Sequence, residues 1–272
     1  MFSDTWMKLP NINATYMEMW RDYSIRGVSD VIDRTDKENA LVSEFEITHY
    51  FDVGASAIEI IVQALIAARC PPPRAILDFP SGSGRVTRHL RAMFPDARIG
   101  ACDLYKPHLD FCAEHFAAIP LMSKENLYEL DVGQWDLIFC GSLLTHLPEH
   151  LFWPTMRFIR RSLTPNGIAI VTLEGRHALH IQDHKWKFIE DSLFDVARAQ
   201  YHAAGFGFVD YNPGMRANKF PDQASYGVAL VSPSWLMAGL QKLDDVRVIG
   251  FSERVWDDHQ DVIVFGKPGV NA

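Results

Sequence analysis

Two periods of apolar positions alternate along the middle of the chain. Short apolar runs, typical of buried strands, are each followed by a stretch in which apolar residues recur every three or four positions, as on an amphipathic helix. The turn sequence TPNG leads into the last of these runs. This alternation predicts a parallel sheet with helices on both faces. The predicted strands are 75–78, 98–103, 119–122, 135–140 and 168–173.

The two ends of the chain do not follow this alternation. A helical apolar face over 57–68 stops before three prolines at 71–73, and residues 1–55 predict short helices and loops. Near the other end, runs at 247–251 and 262–266 predict a hairpin. We therefore predict an α/β fold with a doubly wound, mostly parallel seven-stranded sheet that ends in an antiparallel hairpin. A helical N-terminal lid (1–70) precedes the main domain (71–272), in which an insert after the fifth strand (177–245) would cap the substrate.

Composition and charge narrow the classes of partner. The 272 residues carry a formal net charge of -8 and no strongly basic segment, which argues against a nucleic-acid or anionic-membrane binder. The most apolar stretch, 53–68, carries Glu59 and is too short to span a bilayer. Four unpaired cysteines and the lack of a secretion signal favour a reduced, cytoplasmic setting. The sequence leaves open whether the chain forms a homo-oligomer.

The loop after the first strand carries candidate binding chemistry. Gly82 and Gly84 leave room for a ligand to approach the backbone where the strand enters its helix. A dinucleotide site would have a third glycine where Thr87 stands, and Asp78 would repel a diphosphate but attract a cation. Asp103, at the end of the second strand, can accept hydrogen bonds from ribose hydroxyls. These features favour S-adenosylmethionine over NAD.

Four motifs resemble those of the Rossmann-like (class I) S-adenosylmethionine-dependent methyltransferases. ILDFPSGSGR resembles the first motif, ACDL the ribose-binding acid, WDLIFCGSLLTHL the fourth-strand motif, and LTPNGIAIVTLEG the turn and fifth strand. The likeness covers 75–175 and, loosely, 246–266, with Pro80 in place of the first glycine of the motif. It implies methyl transfer and leaves the acceptor open. The cofactor contacts expected are Asp78, Pro80, Ser81, Gly82, Ser83, Gly84, Asp103, Leu104, Ser123, Cys140, Gly141 and Ser142.

Other candidates are placed by their position in the predicted fold. Tyr50 would close over the cofactor or pack against the core. His146, which follows the fourth strand, is a general base or a structural histidine. The loop 253–261 is either a polar hairpin turn or a part of the ligand-binding side of the sheet. In the second case His259 is a second candidate base and Trp256 forms an aromatic wall. Glu174 and Arg176, after the fifth strand, are expected to bind substrate.

The resulting functional prediction is O-methylation of a small-molecule or glycan acceptor with S-adenosylmethionine. His177, His180 and His184 would share a helical face, but no metal is predicted because no cysteine joins them. Two alternatives stay open. One is an NAD-dependent oxidoreductase. The other is a non-catalytic cofactor-binding protein of the same fold, which is supported by Pro80 in place of the first glycine of the motif.

Overall fold

The computed structural model describes residues 12–34, 43–211 and 225–267. Seven strands form one sheet in the order β3-β2-β1-β4-β5-β9-β8, and β6 pairs with β7 in a separate hairpin. Strands β1 to β5 of the large sheet are parallel, and β9 runs antiparallel to β5 and β8. The predicted sheet is confirmed. The strands are β1 (Ala75–Asp78), β2 (Arg98–Asp103), β3 (Ile119–Met122), β4 (Trp135–Cys140), β5 (Leu163–Leu173), β6 (Phe206–Asp210), β7 (Gly227–Val231), β8 (Arg247–Trp256) and β9 (Gln260–Gly266).

Helices cover both faces of the large sheet, because successive side chains of each strand point to opposite faces. On one face Ile76 and Leu137 join a core with the helices near the N-terminus. On the other face Leu77 and Ile138 join a second core with α5 and α8. The helices are α1 (Ile12–Arg26), α2 (Glu44–Ala68), α3 (Thr87–Met93), α4 (Lys106–Phe116), α5 (Glu149–Arg161), α6 (Arg176–His184), α7 (Asp191–Ala204) and α8 (Pro233–Leu240).

Helix α2 differs from the prediction at its start. Short helices and loops were expected up to residue 55, but a capping box between Ser43 and Glu46 begins a single helix of 25 residues. It ends with Arg69 in the left-handed region, just before the prolines, as predicted. At this length α2 is also long and apolar enough to cross a membrane, contrary to the expectation for 53–68, although half of its most apolar window is buried in the protein. Long core helices commonly share these properties.

The insert after β5 contains a hairpin that the sequence pattern did not reveal. A helix was expected over 188–204 and corresponds to α7, but β6 and β7 were missed. Glycines in both strands weaken their alternation, and residues 211–226 separate them in the chain. The Val231 amide donates to the carbonyl oxygen of Glu174 at 2.8 Å. This bond joins the insert to the carboxyl end of β5.

Candidate functional site

Asp78 lies at the end of β1, beneath the glycine loop. Its carboxyl group is almost fully buried and accepts a hydrogen bond from the Thr87 hydroxyl at 2.6 Å. Burial, more than the nearby Asp103, raises the pKa of Asp78 to about 7, although the Thr87 hydrogen bond opposes this shift. An acid in this state is easily ionised by a neighbouring positive charge. Asp78 therefore suits a cationic ligand.

The two glycines of the loop have different roles. Both have positive φ, +50° at Gly82 and +87° at Gly84. A Cβ at Gly84 would lie 2.4 Å from the Phe116 ring, whereas a Cβ at Gly82 would meet no atom within 4 Å. Gly84 therefore lets α4 approach closely, and Gly82 faces open space that a ligand can occupy. The Phe79–Pro80 peptide bond before the glycines is cis.

Asp103 contacts the glycine loop directly, as the prediction of one shared site requires. Its Oδ2 accepts from the Gly82 amide and its Oδ1 from the Tyr105 amide, both at 2.9 Å. Ser123 is adjacent, because its amide donates to the Asp103 carbonyl oxygen. Leu104 is 41% exposed. A carboxylate oxygen can accept more than one hydrogen bond, so Asp103 keeps capacity for ligand hydroxyls.

Two serines and Tyr50 complete this side of the site. Ser81 is buried, and its hydroxyl has no hydrogen-bond partner within the part of the chain that the structure describes. The Tyr50 hydroxyl lies 3.4 Å from Ser83 Oγ and accepts from Arg88 at 3.1 Å. Tyr50 is therefore packed in the core and also touches the glycine loop, while its closing over the cofactor stays a prediction.

Arg88 is a buried cation that connects these parts of the site. It is only 1% exposed. Its guanidinium donates to the carbonyl oxygens of Gly84, Ser29 and Val31. It thereby fixes the residues that directly follow α1 onto the glycine loop. In the sequence, the apolar residues around Arg88 were the signal that could have indicated its burial.

A second polar group of residues lies where β4, β5 and β9 end or begin. The Ser142 amide donates to Thr172 Oγ1 at 2.8 Å, and Gln260 Nε2 donates to Ser142 Oγ at 3.0 Å. Gly141 allows the Phe139 and Trp256 rings to approach, since a Cβ would lie 2.7 Å and 2.8 Å from them. The Cys140 side chain is fully buried, so only its backbone is available to a ligand.

One expected substrate contact, Trp256, is placed elsewhere, and the role expected of Arg176 stays a prediction. Trp256 is the last residue of β8, is 2% exposed and donates its indole N–H to the Val53 carbonyl oxygen. Its side chain is a core residue and not the aromatic wall that was expected, because α2 packs over it. Arg176 extends to solvent with 68% of its side chain exposed and pairs with Glu253 at 2.6 Å.

Glu174, in contrast, lies in the second polar group, and its carboxyl group is buried. Burial, together with the charges of Asp261 and Asp257, raises the pKa of Glu174 well above its usual value. His259 Nε2 lies 3.6 Å from Glu174 Oε1. Burial also raises the pKa of Asp261 to about 6. Asp261 was not singled out from the sequence, although it is the last residue of the candidate loop 253–261.

The imidazole nitrogens of His259 have distinct partners. Nδ1 lies 2.7 Å from the Asp257 carbonyl oxygen, which can only accept, so Nδ1 carries the proton. Nε2 lies 3.4 Å from the amide nitrogen of Gln260, a donor, and is left as the basic nitrogen. The side chain is 14% exposed. His259 Nε2 is thus the ring nitrogen that faces the polar group.

His146 is held by residues of the insert. Its Nδ1 lies 2.8 Å from the Gly227 carbonyl oxygen and 3.2 Å from the Tyr211 hydroxyl. Its ring stacks on Tyr226 at 4.6 Å. Burial, followed by the charge of Glu174, raises the pKa of Tyr211 to about 12. His146 and the two tyrosines therefore form an aromatic wall on the insert side of Glu174, and neither tyrosine was identified from the sequence.

The three histidines of α6 do share a face, with ring centroids 5.4 Å and 4.6 Å apart along the helix. Within the described ranges, no group of three or more His, Cys, Asp or Glu side chains is arranged to hold a metal ion.

Comparisons with known proteins agree with the geometry of the site. Residues 77–169 match the family described as a methyltransferase domain. This segment runs from β1 into β5 and includes Asp78, both loop glycines and Asp103. Curated proteins give no significant match.

Solved structures of similar fold are distant in sequence. An S-adenosylmethionine-dependent methyltransferase from Clostridium acetobutylicum has 13% identity and a TM-score of 0.52, with 86% of this chain and 95% of that one covered. The DhpI–SAH complex has 16% identity and a TM-score of 0.50, with 95% and 97% covered. An O-methyltransferase family protein from Burkholderia thailandensis has 9% identity and a TM-score of 0.53, with 95% and 71% covered. At these identities the likeness is one of fold.

Proposed function

Because the chain is an S-adenosylmethionine-dependent methyltransferase of the Rossmann-like class, we propose that it methylates a hydroxyl oxygen of a small molecule or glycan. The observation that carries the proposal is the position of His259, whose Nε2 lies in the polar group at the ends of β4 and β5. A hydroxyl acceptor gains from a base at that position, since its proton must leave as the oxygen–carbon bond forms.

The residues near β1 and β2 fit the cofactor. Gly82 offers open space beside the backbone, Asp78 is a buried acid that a cation would ionise, and Asp103 retains lone pairs for ribose hydroxyls. When bound, S-adenosylmethionine supplies an activated methyl group on a positively charged sulfur. The unpartnered hydroxyl of Ser81 is a further hydrogen-bonding group for it.

The residues near β5 would handle the acceptor. His259 Nε2 takes the hydroxyl proton and becomes an imidazolium 3.6 Å from the Glu174 carboxyl group. A positive neighbour favours the ionised form of a carboxyl, so the two groups stabilise each other's charged states. The Gln260 side chain, which is hydrogen-bonded to Ser142, lies beside the His259 imidazole and fixes its orientation. Burial of these groups excludes water, which strengthens each electrostatic contact.

In this proposal His146 positions the acceptor. Its Nδ1 is engaged by the insert, and its ring stacks with Tyr226, so it is suited to shape the aromatic wall. The roles are separable, because loss of a base lowers kcat and changes its pH profile, whereas loss of a wall raises KM.

Cofactor binding is the first test. Calorimetry should detect S-adenosylmethionine binding to the parent protein, with Asp103→Asn about 10-fold or more weaker because one of two charge-assisted acceptors is lost. Asp110→Asn, an exposed acid on α4, is the matched control and should bind as the parent does. Binding of NADH in place of S-adenosylmethionine would contradict the assignment.

The acceptor chemistry is the second test. A panel of hydroxylated small molecules and oligosaccharides is assayed by release of S-adenosylhomocysteine. With the best acceptor, His259→Ala should lower kcat about 100-fold or more, because the hydroxyl proton loses its acceptor, while His146→Ala should act mainly on KM. Methylation confined to nitrogen atoms, or an unchanged kcat in His259→Ala, would refute the oxygen assignment.

A further inference from the structure

A surface cleft with a volume of about 240 Å³ lies between α5 and α8. On α5 it is lined by Glu149, Trp153 and Arg157, which recur every four residues and therefore share one face of the helix. Within the described part of the chain, its lining includes none of the residues assigned above to the cofactor or the acceptor. The cleft is therefore a separate candidate site.

Two indole rings form the apolar part of the cleft. The ring centroids of Trp153 and Trp235 lie 5.0 Å apart, and both side chains are half-buried. Trp235 also packs on Phe152 at 5.2 Å and on Phe206 at 4.6 Å, so the core fixes its position. A Cβ at Gly239 would overlap the Trp153 ring, so this glycine lets the ring lie against α8. The cleft thus presents aromatic surface on which another ring can stack or pack edge-on.

Two cations line the same cleft. Arg157 on α5 and Lys242, which follows α8, are exposed. Neither forms an ion pair or a side-chain hydrogen bond with any residue that the structure describes. The other two arginines of α5 are engaged, since Arg160 pairs with Asp245 and Arg161 donates to backbone carbonyl oxygens. The charges of Arg157 and Lys242 are therefore available to a ligand.

Charge and size together limit what the cleft can hold. Glu149 is the only acid among the described residues that line it, so positive charge is in excess there, although the whole chain carries a net charge of -8. Such a cleft attracts anions. An apolar cavity of about 150 Å³ holds benzene, so the volume of about 240 Å³ suits one ring with a small charged group. A protein partner would bury a far larger surface.

We propose that this cleft binds a small aromatic anion, with its ring against the two indoles and its negative charge near the cations of Arg157 and Lys242. Aromatic surface with a few polar groups is the usual composition of a small-molecule site. The anionic group is a carboxylate or a phosphate, because both are recognised by the same cations. This second ligand site goes beyond the proposed function and does not depend on it.

Ligand-observed NMR on the parent protein tests the proposal with probes of matched size. Benzoate and phenyl phosphate carry both ring and charge, benzamide keeps the ring alone, and acetate and methyl phosphate keep the charge alone. We expect the aromatic anions to bind with a Kd of about 1 mM or tighter. The three other probes should bind about 5-fold more weakly or worse, and the preference for benzoate over benzamide should shrink at high salt. Comparison of benzoate with phenyl phosphate identifies the preferred anion.

Substitutions separate the contribution of charge from that of the ring. The double variant Arg157→Gln, Lys242→Gln should bind benzoate no more tightly than benzamide, because exposed charge pairs each contribute only a few-fold. Trp153→Leu should weaken binding of both probes about 5-fold and keep their ratio. The matched control is Arg21→Gln on α1, where 70% of the arginine side chain is exposed. It should bind both probes as the parent does.

Equal binding of benzoate and benzamide to the parent protein would overturn the proposal, and so would a preference for benzoate that survives in the double variant. A change of oligomeric state in the double variant, measured by sedimentation, would also overturn it, since the cleft would then be an interface between copies of the chain. Tm is measured for every variant. If Trp153→Leu lowers it, the parent protein and the double variant, whose substitutions are at exposed positions, decide the outcome.

Discussion

Replacement of Asp78 by asparagine should make stability less dependent on pH. The Asp78 carboxyl group is 1% exposed, and burial raises its pKa to about 7 in the folded protein. In the unfolded chain the pKa is about 3.9, so folding shifts it by about 3 units. At 1.36 kcal/mol per unit, ionised Asp78 costs the folded state about 4 kcal/mol of its free energy of unfolding.

The sign follows from the direction of the shift. The folded protein binds the Asp78 proton more tightly than the unfolded chain, so stability is greatest below the unfolded pKa and falls as pH rises through the folded one. About 3 kcal/mol of the loss accrues between pH 5 and pH 8. Asparagine never ionises and can still accept from the Thr87 hydroxyl, which donates to Asp78 in the parent at 2.6 Å.

The measurement is urea denaturation of the cofactor-free parent and Asp78→Asn proteins at both pH values. We expect the difference in free energy of unfolding to move in favour of the variant by about 3 kcal/mol from pH 5 to pH 8. The shift of Asp261 is common to both proteins and cancels. Asp96→Asn, at an exposed position, should show a constant difference. A constant difference for Asp78→Asn as well would refute the reasoning.

Three further predictions follow from single contacts. Gly84→Ala should lower the free energy of unfolding by about 2 kcal/mol or more, since the new Cβ would clash with Phe116 and the residue has a positive φ. Gly82→Ala should lower it by only about 1 kcal/mol, and its main effect, measured by calorimetry, should be weaker binding of S-adenosylmethionine. Arg88→Met should lower Tm and speed proteolysis of the segment after α1, because the hydrogen bonds that fix that segment are lost; unchanged cleavage would contradict this. Glu174→Gln should leave Tm equal or raise it at pH 8, since its folded pKa is raised and ionisation there is costly; a lower Tm would show that the carboxylate is structural.

Local patterns were sufficient for the parallel sheet and for half of the candidate site. Strands buried on both faces read as continuous apolar runs, and each was followed by a helix, so strand order and direction were accessible. Asp78, the loop glycines and Asp103 lie within thirty residues of one another, at the ends of adjacent strands. Their proximity, seen in the bond from Gly82 to Asp103, follows from the topology alone.

The acceptor side was decided by contacts distant in sequence. Asp261 lies beside Leu173 because β9 folds back antiparallel to β5, and Tyr211 contacts His146 because a hairpin of the insert docks on β5. Trp256 is buried because α2 packs over it, and Arg88 is buried because residues that follow α1 contact it. Burial and the pKa shifts it causes depend on the whole fold, so no local pattern carries them. The sequence by itself determined the sheet and the type of cofactor loop, while the tertiary structure decided which acids are buried and which side chains they face.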